Sequence, residues 1–460
     1  MALSKPLTSF KRGTNIEIMN ARIIKKVYNK FLPEWFKVIL GGAIRKKLIE
    51  NRDFKTMFNE LSTSKTLTKE QLAKKQFDLL KHTCILAYEN VPFYKREFDE
   101  AGFDPYKFST FEEFKSKVPI IDKEIVLRNF DDLQNPNITD DYPATTGGSS
   151  GTRLQVNNAW STFYKENACI SHFMSRYGYD YKKHKILLLA GEESESLTSI
   201  SPLYNMIRVS GRHLNPSNMG EAIKFVNKHK PDFITGLPSA TYYFCRLLRS
   251  GGFQLEKPIQ HVFFRSENIN PRQRAYIEET LNCKCAAYYG HTERVAMGEE
   301  LDNKDGIPLY SFIKLYGYTE VGGEDGISLI STGFINPKMP LIRYKTDDII
   351  VKVGEDRYTV EGHRTACLIG RNDESFSVEY FCHLEETFDL VDKYQLDQFK
   401  KGELIVNVVP RRQLNNKEID NLKNLFEKMS AGCLDVTIKI VDHVVLTPRG
   451  KFKLLLHSIE

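Results

Sequence analysis

An apolar run ends abruptly in polar residues in the stretch Cys285-Ala286-Ala287-Tyr288-Tyr289-Gly290-His291-Thr292-Glu293. Its first five residues predict a buried strand, because the run is apolar and too short for a helix. Strands and helices alternate back along the chain, with strands predicted at 261–264, 233–235 and 186–189 and helices at 272–281, 240–248 and 221–228. Such alternation predicts an α/β fold with a mixed or parallel sheet that is covered on both faces.

The pattern changes after about residue 370. A strand at 403–409, a helix at 417–429 and a strand at 436–446 predict a compact β-α-β unit that is able to fold as a small domain. Before the α/β region, Thr68 and Gln71 have the spacing of a helix capping box. We therefore expect a basic helical extension over 1–66, a large layered α/β domain over 67–370 and a small α+β domain over 371–460.

The net charge of +6 is concentrated at the N-terminus. Residues 1–50 hold eleven basic and three acidic residues, so the other 410 residues sum to −2. A near-neutral body excludes a protein that coats nucleic acid along its whole surface. Apolar residues interleaved with lysine and arginine over 16–50 predict amphipathic helices. These helices either pack on the body or lie on an anionic membrane surface.

The composition is typical of a packed globular protein. Hydrophobic residues make up 41% of the chain and aromatic residues 12%. No apolar run reaches the roughly 20 residues that a membrane span needs, and basic residues interrupt every candidate signal peptide. Among the eight cysteines only Cys283 and Cys285 are close, which is a poor zinc signature. We expect reduced thiols and a cytoplasmic location, with peripheral contact to the inner membrane surface through 1–50 left open.

A loop rich in glycine and hydroxyl residues precedes the predicted strands. It reads Thr145-Thr146-Gly147-Gly148-Ser149-Ser150-Gly151-Thr152-Arg153. Its glycines allow backbone N–H groups to curl around an anion, and its hydroxyls add further donors. The pattern G-x-x-x-x-G-K-[ST] is absent, which excludes a P-loop. Taken alone, such a loop is also typical of a flexible connector.

Further motifs follow the loop in order. At the end of the strand 285–289, Thr292 and Glu293 supply a hydroxyl and a carboxylate, which suit phosphate and Mg²⁺. The later motifs are Ser331-Thr332-Gly333, Tyr344-Lys345-Thr346-Asp347-Asp348, Gly370-Arg371-Asn372-Asp373 and Thr447-Pro448-Arg449-Gly450-Lys451.

In this order and spacing the set resembles the adenylate-forming superfamily of acyl-CoA synthetases, peptide-synthetase adenylation domains and luciferases. The chain looks most like the phenylacetate–CoA ligase family, in the CapK-like branch of capsular-polysaccharide clusters. The form of the glycine loop, Asn90-Val91-Pro92-Phe93-Tyr94 and Gly236-Leu237-Pro238-Ser239 favour that branch. The resemblance covers about residues 70–460 and implies a large domain with a mobile C-terminal lid that turns about a hinge near 371–374.

The resemblance also implies roles for the matching residues. The β- and γ-phosphates of ATP would be held by Thr146, Gly147, Gly148, Ser149, Ser150, Gly151 and Thr152. Adenine would lie beside Ser266, Glu267, Gly290 and Tyr289, with Tyr289 stacking on it, and the ribose would contact Asp348 and Arg371. Thr292 would contact the α-phosphate, Glu293 the Mg²⁺, and Lys451 the acyl carboxylate and α-phosphate. His291 would either orient the acyl substrate or pack beneath the nucleotide.

The implied reaction is ATP- and Mg²⁺-dependent activation of a small carboxylic acid as an acyl-adenylate. Pyrophosphate would leave, and the acyl group would pass to CoA. Transfer to an amine during polysaccharide synthesis, and an inactive nucleotide-binding homologue, remain alternatives. Three departures from the family pattern keep them open: Arg153-Leu154 in place of Pro-Lys, Asp347 in place of glycine, and Glu374-Ser375 after the hinge. No nucleic-acid partner is expected.

Overall fold

The structure is a computed structural model. It describes residues 51–145, 154–190, 196–201, 204–211, 213–267, 269, 271–323, 326–363, 367–372, 375–378, 390–430, 432–446, 452–457 and 459. The predicted phosphate loop 146–152, Lys451 and the basic segment 1–50 lie outside these residues.

The helices are α1 (Arg52–Ser64), α2 (Lys69–Asn90), α3 (Pro92–Glu100), α4 (Phe111–Lys117), α5 (Lys123–Arg128), α6 (Trp160–Ser175), α7 (Met219–His229), α8 (Pro238–Ser250), α9 (Pro271–Leu281) and α10 (Asn416–Met429). The strands of the large domain are β1 (Asp141–Thr145), β2 (Gln155–Ala159), β3 (Ile186–Ala190), β4 (Thr198–Ser201), β5 (Met206–Ser210), β6 (Phe233–Gly236), β7 (His261–Phe264), β8 (Lys284–Gly290), β9 (Met297–Lys304), β10 (Ile307–Phe312), β11 (Gly317–Gly322), β12 (Ser328–Gly333), β13 (Tyr344–Gly354) and β14 (Arg357–His363). The remaining strands are β15 (Cys367–Ile369), β16 (Ser375–Ser377), β17 (Val391–Asp397), β18 (Glu403–Pro410), β19 (Asp435–Ile440) and β20 (Leu455–His457).

A long mixed sheet forms the body of the large domain. Within the described residues its strand order is β11-β12-β13-β14-β10-β9-β8-β7-β6-β3-β5-β4. Strands β5, β3, β6, β7 and β8 are parallel neighbours, whereas β8 and β9 pair antiparallel. The sequence prediction of a mixed or parallel sheet is confirmed.

Both faces of the parallel half are buried. In β7, Val262 and Phe264 belong to a core cluster that also contains residues of α7, α8 and α9, while Phe263 points to the opposite face with Phe173 of α6. Successive side chains of a strand point to opposite faces, so a strand buried on both sides reads as a continuous apolar run. This is why short apolar runs predicted these strands.

The helices before the sheet form a cap on the large domain. The predicted box at Thr68 is present, because its hydroxyl accepts from the amide of Gln71 and the Gln71 side chain accepts from the amide of Thr68. Helix α1 lies inside the range predicted as an extension. Its buried residues Phe54, Met57 and Leu61 share a core with α6, so α1 packs with the large domain.

The described residues of the small domain form a four-stranded sheet in the order β19-β18-β17-β20. Strands β18 and β19 are parallel and are joined through α10, which confirms the predicted β-α-β unit. The predicted last strand, 436–446, was wrong beyond Ile440. The amide of Val441 still donates to the carbonyl of Val408, and the chain then turns at Asp442 and His443.

None of the helices in the described part of the chain has the length and apolar character needed to cross a bilayer.

Candidate functional site

The polar turn after β8 presents Thr292 and Glu293 at the carboxyl end of the parallel strands. The amide of Arg294 donates to the carbonyl of His291 at 3.2 Å and closes the turn. Arg294 adopts a left-handed φ of 56°, a conformation that non-glycine residues rarely adopt and that often marks functional sites. Ligands of open α/β sheets bind at this edge.

A pair of glycines supports the turn from behind. Gly317 of β11 and Gly333 of β12 are directly opposite each other in the sheet. A Cβ atom at Gly333 would lie 2.6 Å from the carbonyl oxygen of Arg294, and one at Gly317 would lie 2.3 Å from that of Val295. The backbone of the turn therefore rests on a surface that has no room for side chains. This contact explains the glycine of the Ser331-Thr332-Gly333 motif.

The carboxylate of Glu293 is held from two sides. Its Oε1 accepts a hydrogen bond from the Tyr344 hydroxyl at 3.4 Å, and its Oε2 lies 3.2 Å from His291 Nδ1. Burial disfavours a charge on His291, but the hydrogen bond and negative charge of Glu293 prevail and raise the pKa of this histidine above 6.5. His291 thus orients Glu293, and its Nε2 atom is buried without a hydrogen-bond partner among the described residues.

Tyr289 and Asp348 form the second part of the site. The Tyr289 hydroxyl donates to the Asp348 carboxylate, and burial together with this negative charge raises the pKa of the tyrosine. The Tyr289 ring packs edge-on against Phe312, with 5.9 Å between ring centroids. The pair joins the end of β8 to β13, so the structure brings the tyrosine and aspartate motifs together.

A bulge in β13 shapes the end of the Tyr-Lys-Thr-Asp-Asp motif. Ile330 of β12 pairs with Lys345 and Ser328 pairs with Ile349, so β13 has more residues than β12 over this span. Bulges re-aim side chains and are frequent next to active sites. Asp347 is exposed, whereas Asp348 is half-buried and holds Tyr289.

The loop after β7 carries Ser266 and Glu267. Ser266 has a left-handed φ of 65°. One Glu267 oxygen accepts from the amide of Ser239 at 3.1 Å, in the first turn of α8, whose N-cap residue has no side-chain cap of its own. A carboxylate at a helix N-terminus is favourable, so Glu267 connects this loop to the Gly-Leu-Pro-Ser motif.

Asn336 anchors the start of α6, the helix that follows β2 and the predicted phosphate loop. Its Oδ1 accepts from the amide of Ala159 at 3.2 Å and from the Thr162 hydroxyl at 3.3 Å. Its Nδ2 donates to the carbonyl of Asn157 at 3.0 Å. Asn336, which lies between the Ser331-Thr332-Gly333 and Tyr344–Asp348 motifs, therefore holds the β1–β2 hairpin in place through its second strand.

Arg371 lies in the turn between β15 and β16. Its guanidinium is 2.6 Å from Asp435 of the small domain, and both side chains are at least half exposed. The predicted contact of Arg371 with the ribose would need this pair to open. Thr146 to Thr152 and Lys451 cannot be placed, because they are outside the described residues.

Two ion pairs between described residues near the site were not predicted from the sequence. Arg294 Nη2 lies 2.9 Å from Glu166 Oε2 on α6. Arg343, just before β13, pairs with Glu320 at 3.0 Å and donates to the carbonyl of Val118. Arg294 directly follows the Thr-Glu motif, which is a signal that sequence reasoning missed, whereas Glu166 belongs to no motif.

The small domain contacts α8 beside the site. Arg246 donates to the carbonyl of Asp392 at 3.0 Å, and the Lys393 ammonium lies 3.6 Å from the centroid of the Tyr243 ring. Burial lowers the pKa of Lys393. A cleft of about 930 Å³ separates the two domains around these residues.

Mg²⁺ is compatible with the donors present. Among the described residues, no group of three or more histidine, cysteine, aspartate or glutamate side chains is arranged to hold a metal ion. Mg²⁺ in nucleotide sites is usually bound by one or two carboxylates together with substrate phosphates. The half-buried Glu293 fits that requirement as a single protein ligand.

Comparison with known proteins gives a consistent set of relatives. No family model matches the chain. It is 22% identical to protein CapK of Staphylococcus aureus over 269 residues, which are 56% of this chain and 59% of CapK. It is 25% identical to the phenylacetate–coenzyme A ligase of Thermus thermophilus over 339 residues, covering 67% of this chain and 72% of that protein. The Escherichia coli phenylacetate–coenzyme A ligase is 24% identical over 369 residues, with coverages of 75% and 83%.

Solved structures share the fold. The 2-hydroxyisobutyryl-CoA ligase in its postadenylation state, bound to an acyl-AMP, matches with a TM-score of 0.64 at 15% identity, covering 84% of this chain and 89% of that chain. The same ligase bound to an acyl-AMP and CoA in its thioesterification state matches with a TM-score of 0.54.

Proposed function

We propose that the chain is a member of the adenylate-forming superfamily, in its phenylacetate–CoA ligase family, and that it activates a carboxylic acid with ATP and transfers the acyl group to CoA. The observation that carries this proposal is the meeting of two motifs at the carboxyl edge of the sheet. The Thr292–Glu293 turn and the Tyr289–Asp348 pair lie at the end of the same strand.

The Tyr289–Asp348 pair is the proposed nucleoside site. The tyrosine ring offers a flat face for adenine, while Asp348 offers oxygen acceptors for the ribose hydroxyls. Ser266 and Glu267 lie on the neighbouring loop, where they would border the adenine. Asp347 is exposed, so we assign the ribose contact to Asp348 alone.

The Thr292–Glu293 turn is the proposed phosphate site. The Thr292 hydroxyl would contact the α-phosphate and Glu293 would hold Mg²⁺. The metal, when bound, supplies positive charge to the phosphate oxygens. The tyrosine and histidine around Glu293 hold its carboxylate in a fixed orientation, so the metal ligand is in place before the substrates bind.

The acid carboxylate attacks the α-phosphorus, and the bond to pyrophosphate breaks. Negative charge accumulates as this happens, and we assign its neutralisation to Lys451 and to the loop 146–152, on the strength of the sequence motifs. The resulting acyl-adenylate is easily hydrolysed, so closure of the small domain over the site would protect it. The CoA thiolate then attacks the acyl carbon and AMP leaves.

ATP–pyrophosphate exchange tests the first step. A panel of aryl, fatty, hydroxy, amino and uronic acids is supplied with ATP and labelled pyrophosphate, and at least one acid should support exchange. Failure with every acid would overturn the proposal in favour of an inactive nucleotide-binding homologue. The Lys451→Ala variant should lose exchange, whereas Lys453→Ala two residues away should retain it.

The acceptor is tested separately. The accepted acid is incubated with ATP and either CoA or a panel of amines and amino sugars, and the product mass is measured. A thioester is the expected product. An amide formed in the absence of CoA would replace the second half of the proposal while leaving the first half intact.

The basic segment 1–50 is proposed to be dispensable for activation. Because α1 packs with the large domain, a truncation must stop before residue 51. The truncated chain should retain exchange and lose any association with vesicles that contain anionic lipid. Loss of exchange in a folded truncation would contradict this assignment.

A further inference from the structure

An ion pair joins the two elements that flank the proposed triphosphate site. Arg294 Nη2 lies 2.9 Å from Glu166 Oε2, and the two side chains are only 13% and 23% exposed. Arg294 closes the turn that presents Thr292 and Glu293. Glu166 lies on α6, which continues directly from β2 and thus from the hairpin whose strands flank the predicted phosphate loop.

The surroundings of this pair are largely buried and include an aromatic ring. The Arg294 guanidinium lies 5.9 Å from the ring centroid of Tyr142 in β1, and its Nε and Nη1 atoms are buried with no hydrogen-bond partner among the described residues. Burial raises the pKa of Glu166 although Arg294 opposes this shift. A buried pair of this kind adds little net stability, but the loss of one partner leaves an uncompensated charge.

Other contacts fix each element separately. The glycine pair supports the turn, and Asn336 holds the start of α6. The Glu166–Arg294 pair spans the interval between the two elements by a direct side-chain contact. Its position therefore suits an alignment role better than a role in holding up either element.

We propose that Glu166 and Arg294 are positioning residues that align the Thr292–Glu293 turn with the β1–β2 hairpin, so that both elements contact one ATP molecule. The inference rests on the proposed function, because it assigns these residues to the ATP site. Both elements would then have to reach the same phosphates, and a misplacement of about 1 Å can lower a rate by about 100-fold.

A double-mutant cycle tests the proposal. Glu166→Gln keeps the size and one acceptor oxygen, and Arg294→Met keeps much of the length. Each should lower kcat/KM for ATP in the exchange reaction by about 10- to 100-fold while changing the KM for the acid less than about threefold. Because both residues act through one contact, the double variant should be no more than about threefold worse than the worse single variant.

The pair Arg176–Glu299 provides a matched control. Arg176, the C-cap residue of α6, lies 3.0 Å from Glu299 of β9, at the opposite end of the helix from its N-terminus at Trp160. Arg176→Met should leave kcat/KM for ATP within about threefold of wild type. Melting temperatures of all variants separate misalignment from unfolding. If Arg294→Met does not fold, Glu166→Asp serves instead, since it keeps the charge and shortens the reach, and it should still lower kcat/KM for ATP.

Three outcomes would overturn the inference: single effects that multiply in the double variant, losses confined to the acid KM, or wild-type kinetics in a folded Glu166→Asp variant. Calorimetric measurement of ATP binding distinguishes a failure of this inference from a failure of the proposed function. If the wild type binds ATP but supports ATP–pyrophosphate exchange with no acid, the proposed function fails. The double-mutant cycle is then measured on the Kd for ATP, and non-additive losses of affinity support the inference whereas additive losses overturn it. A wild type that binds no ATP overturns both.

Discussion

Replacing Tyr289 with phenylalanine removes a single oxygen atom from the proposed nucleoside site. The hydroxyl donates to the Asp348 carboxylate, and the ring remains to contact adenine. A hydrogen bond to a charged group contributes about 1.5–3 kcal/mol. Since 1.36 kcal/mol corresponds to a factor of ten, this energy sets an upper limit of about 10- to 150-fold on how far a misoriented Asp348 can weaken ATP binding. Both side chains are only half-buried, so we expect about a tenfold rise in the KM for ATP.

The assay is ATP–pyrophosphate exchange at saturating acid with ATP varied. The KM for ATP should rise, the KM for the acid should stay within about twofold of wild type, and the free energy of unfolding should fall by about 1 kcal/mol. Tyr310→Phe is the matched control, because its ring lies 6.3 Å from Tyr289 on β10. A folded Tyr289→Phe variant with an unchanged KM for ATP would refute the assignment of Asp348 to the ribose.

Three further changes test other parts of the site. Gly333→Ala would place Cβ 2.6 Å from the Arg294 carbonyl oxygen, so exchange should fall by about 100-fold and the melting temperature should drop. His291→Gln removes a group whose pKa is raised in the folded state; its protonated form is therefore the stabilised one. The stability lost in this variant should be largest below about pH 6.5 and should shrink as the pH rises through the folded pKa. Arg246→Ala removes a donor to the small domain, and amide exchange in β17 should accelerate.

The changes at Gly333 and Arg246 each have a control elsewhere in the chain. Gly220→Ala adds a Cβ whose nearest neighbour would be 3.7 Å away, so this variant should keep the wild-type rate of ATP–pyrophosphate exchange. Arg249→Ala on α8 breaks a pair with Glu279 inside the large domain and should leave β17 unchanged. The first prediction is contradicted if Gly333→Ala keeps wild-type activity. The second is contradicted if the stability lost in His291→Gln does not depend on pH. The third is contradicted if hydrogen exchange of the β17 amides is unchanged in Arg246→Ala.

The parallel half of the sheet was predictable because its strands are buried on both faces. Runs such as 261–264 contain only residues that a covered strand can bury, and turn residues separate them from amphipathic helices. The antiparallel half offers no such signal. Strand β9 buries Glu300, which pairs with Arg274 at 2.7 Å, and a charged residue at an inward position breaks the alternation on which a strand prediction depends.

The site was predictable where its residues are close in sequence. Tyr289 and Glu293 lie in one motif because a strand and its following turn place them together. Arg294 lies in the same turn, but its partner Glu166 is 128 residues away and belongs to no motif. Only the packing of α6 against the sheet brings the two together. The orientation of Asp347 and Asp348 likewise depends on a bulge that involves another strand.

The opposed glycines Gly317 and Gly333 imply a conflict between durability and chemistry. A glycine inside a regular element lowers stability by about 0.5–1 kcal/mol relative to alanine, so this pair weakens the sheet by about 1–2 kcal/mol. Larger residues at these positions would recover that stability, but the backbone of the turn occupies the space that their side chains would need. Efforts to make the protein more heat-resistant should therefore find improvements elsewhere, because any residue that strengthens this pairing displaces the turn.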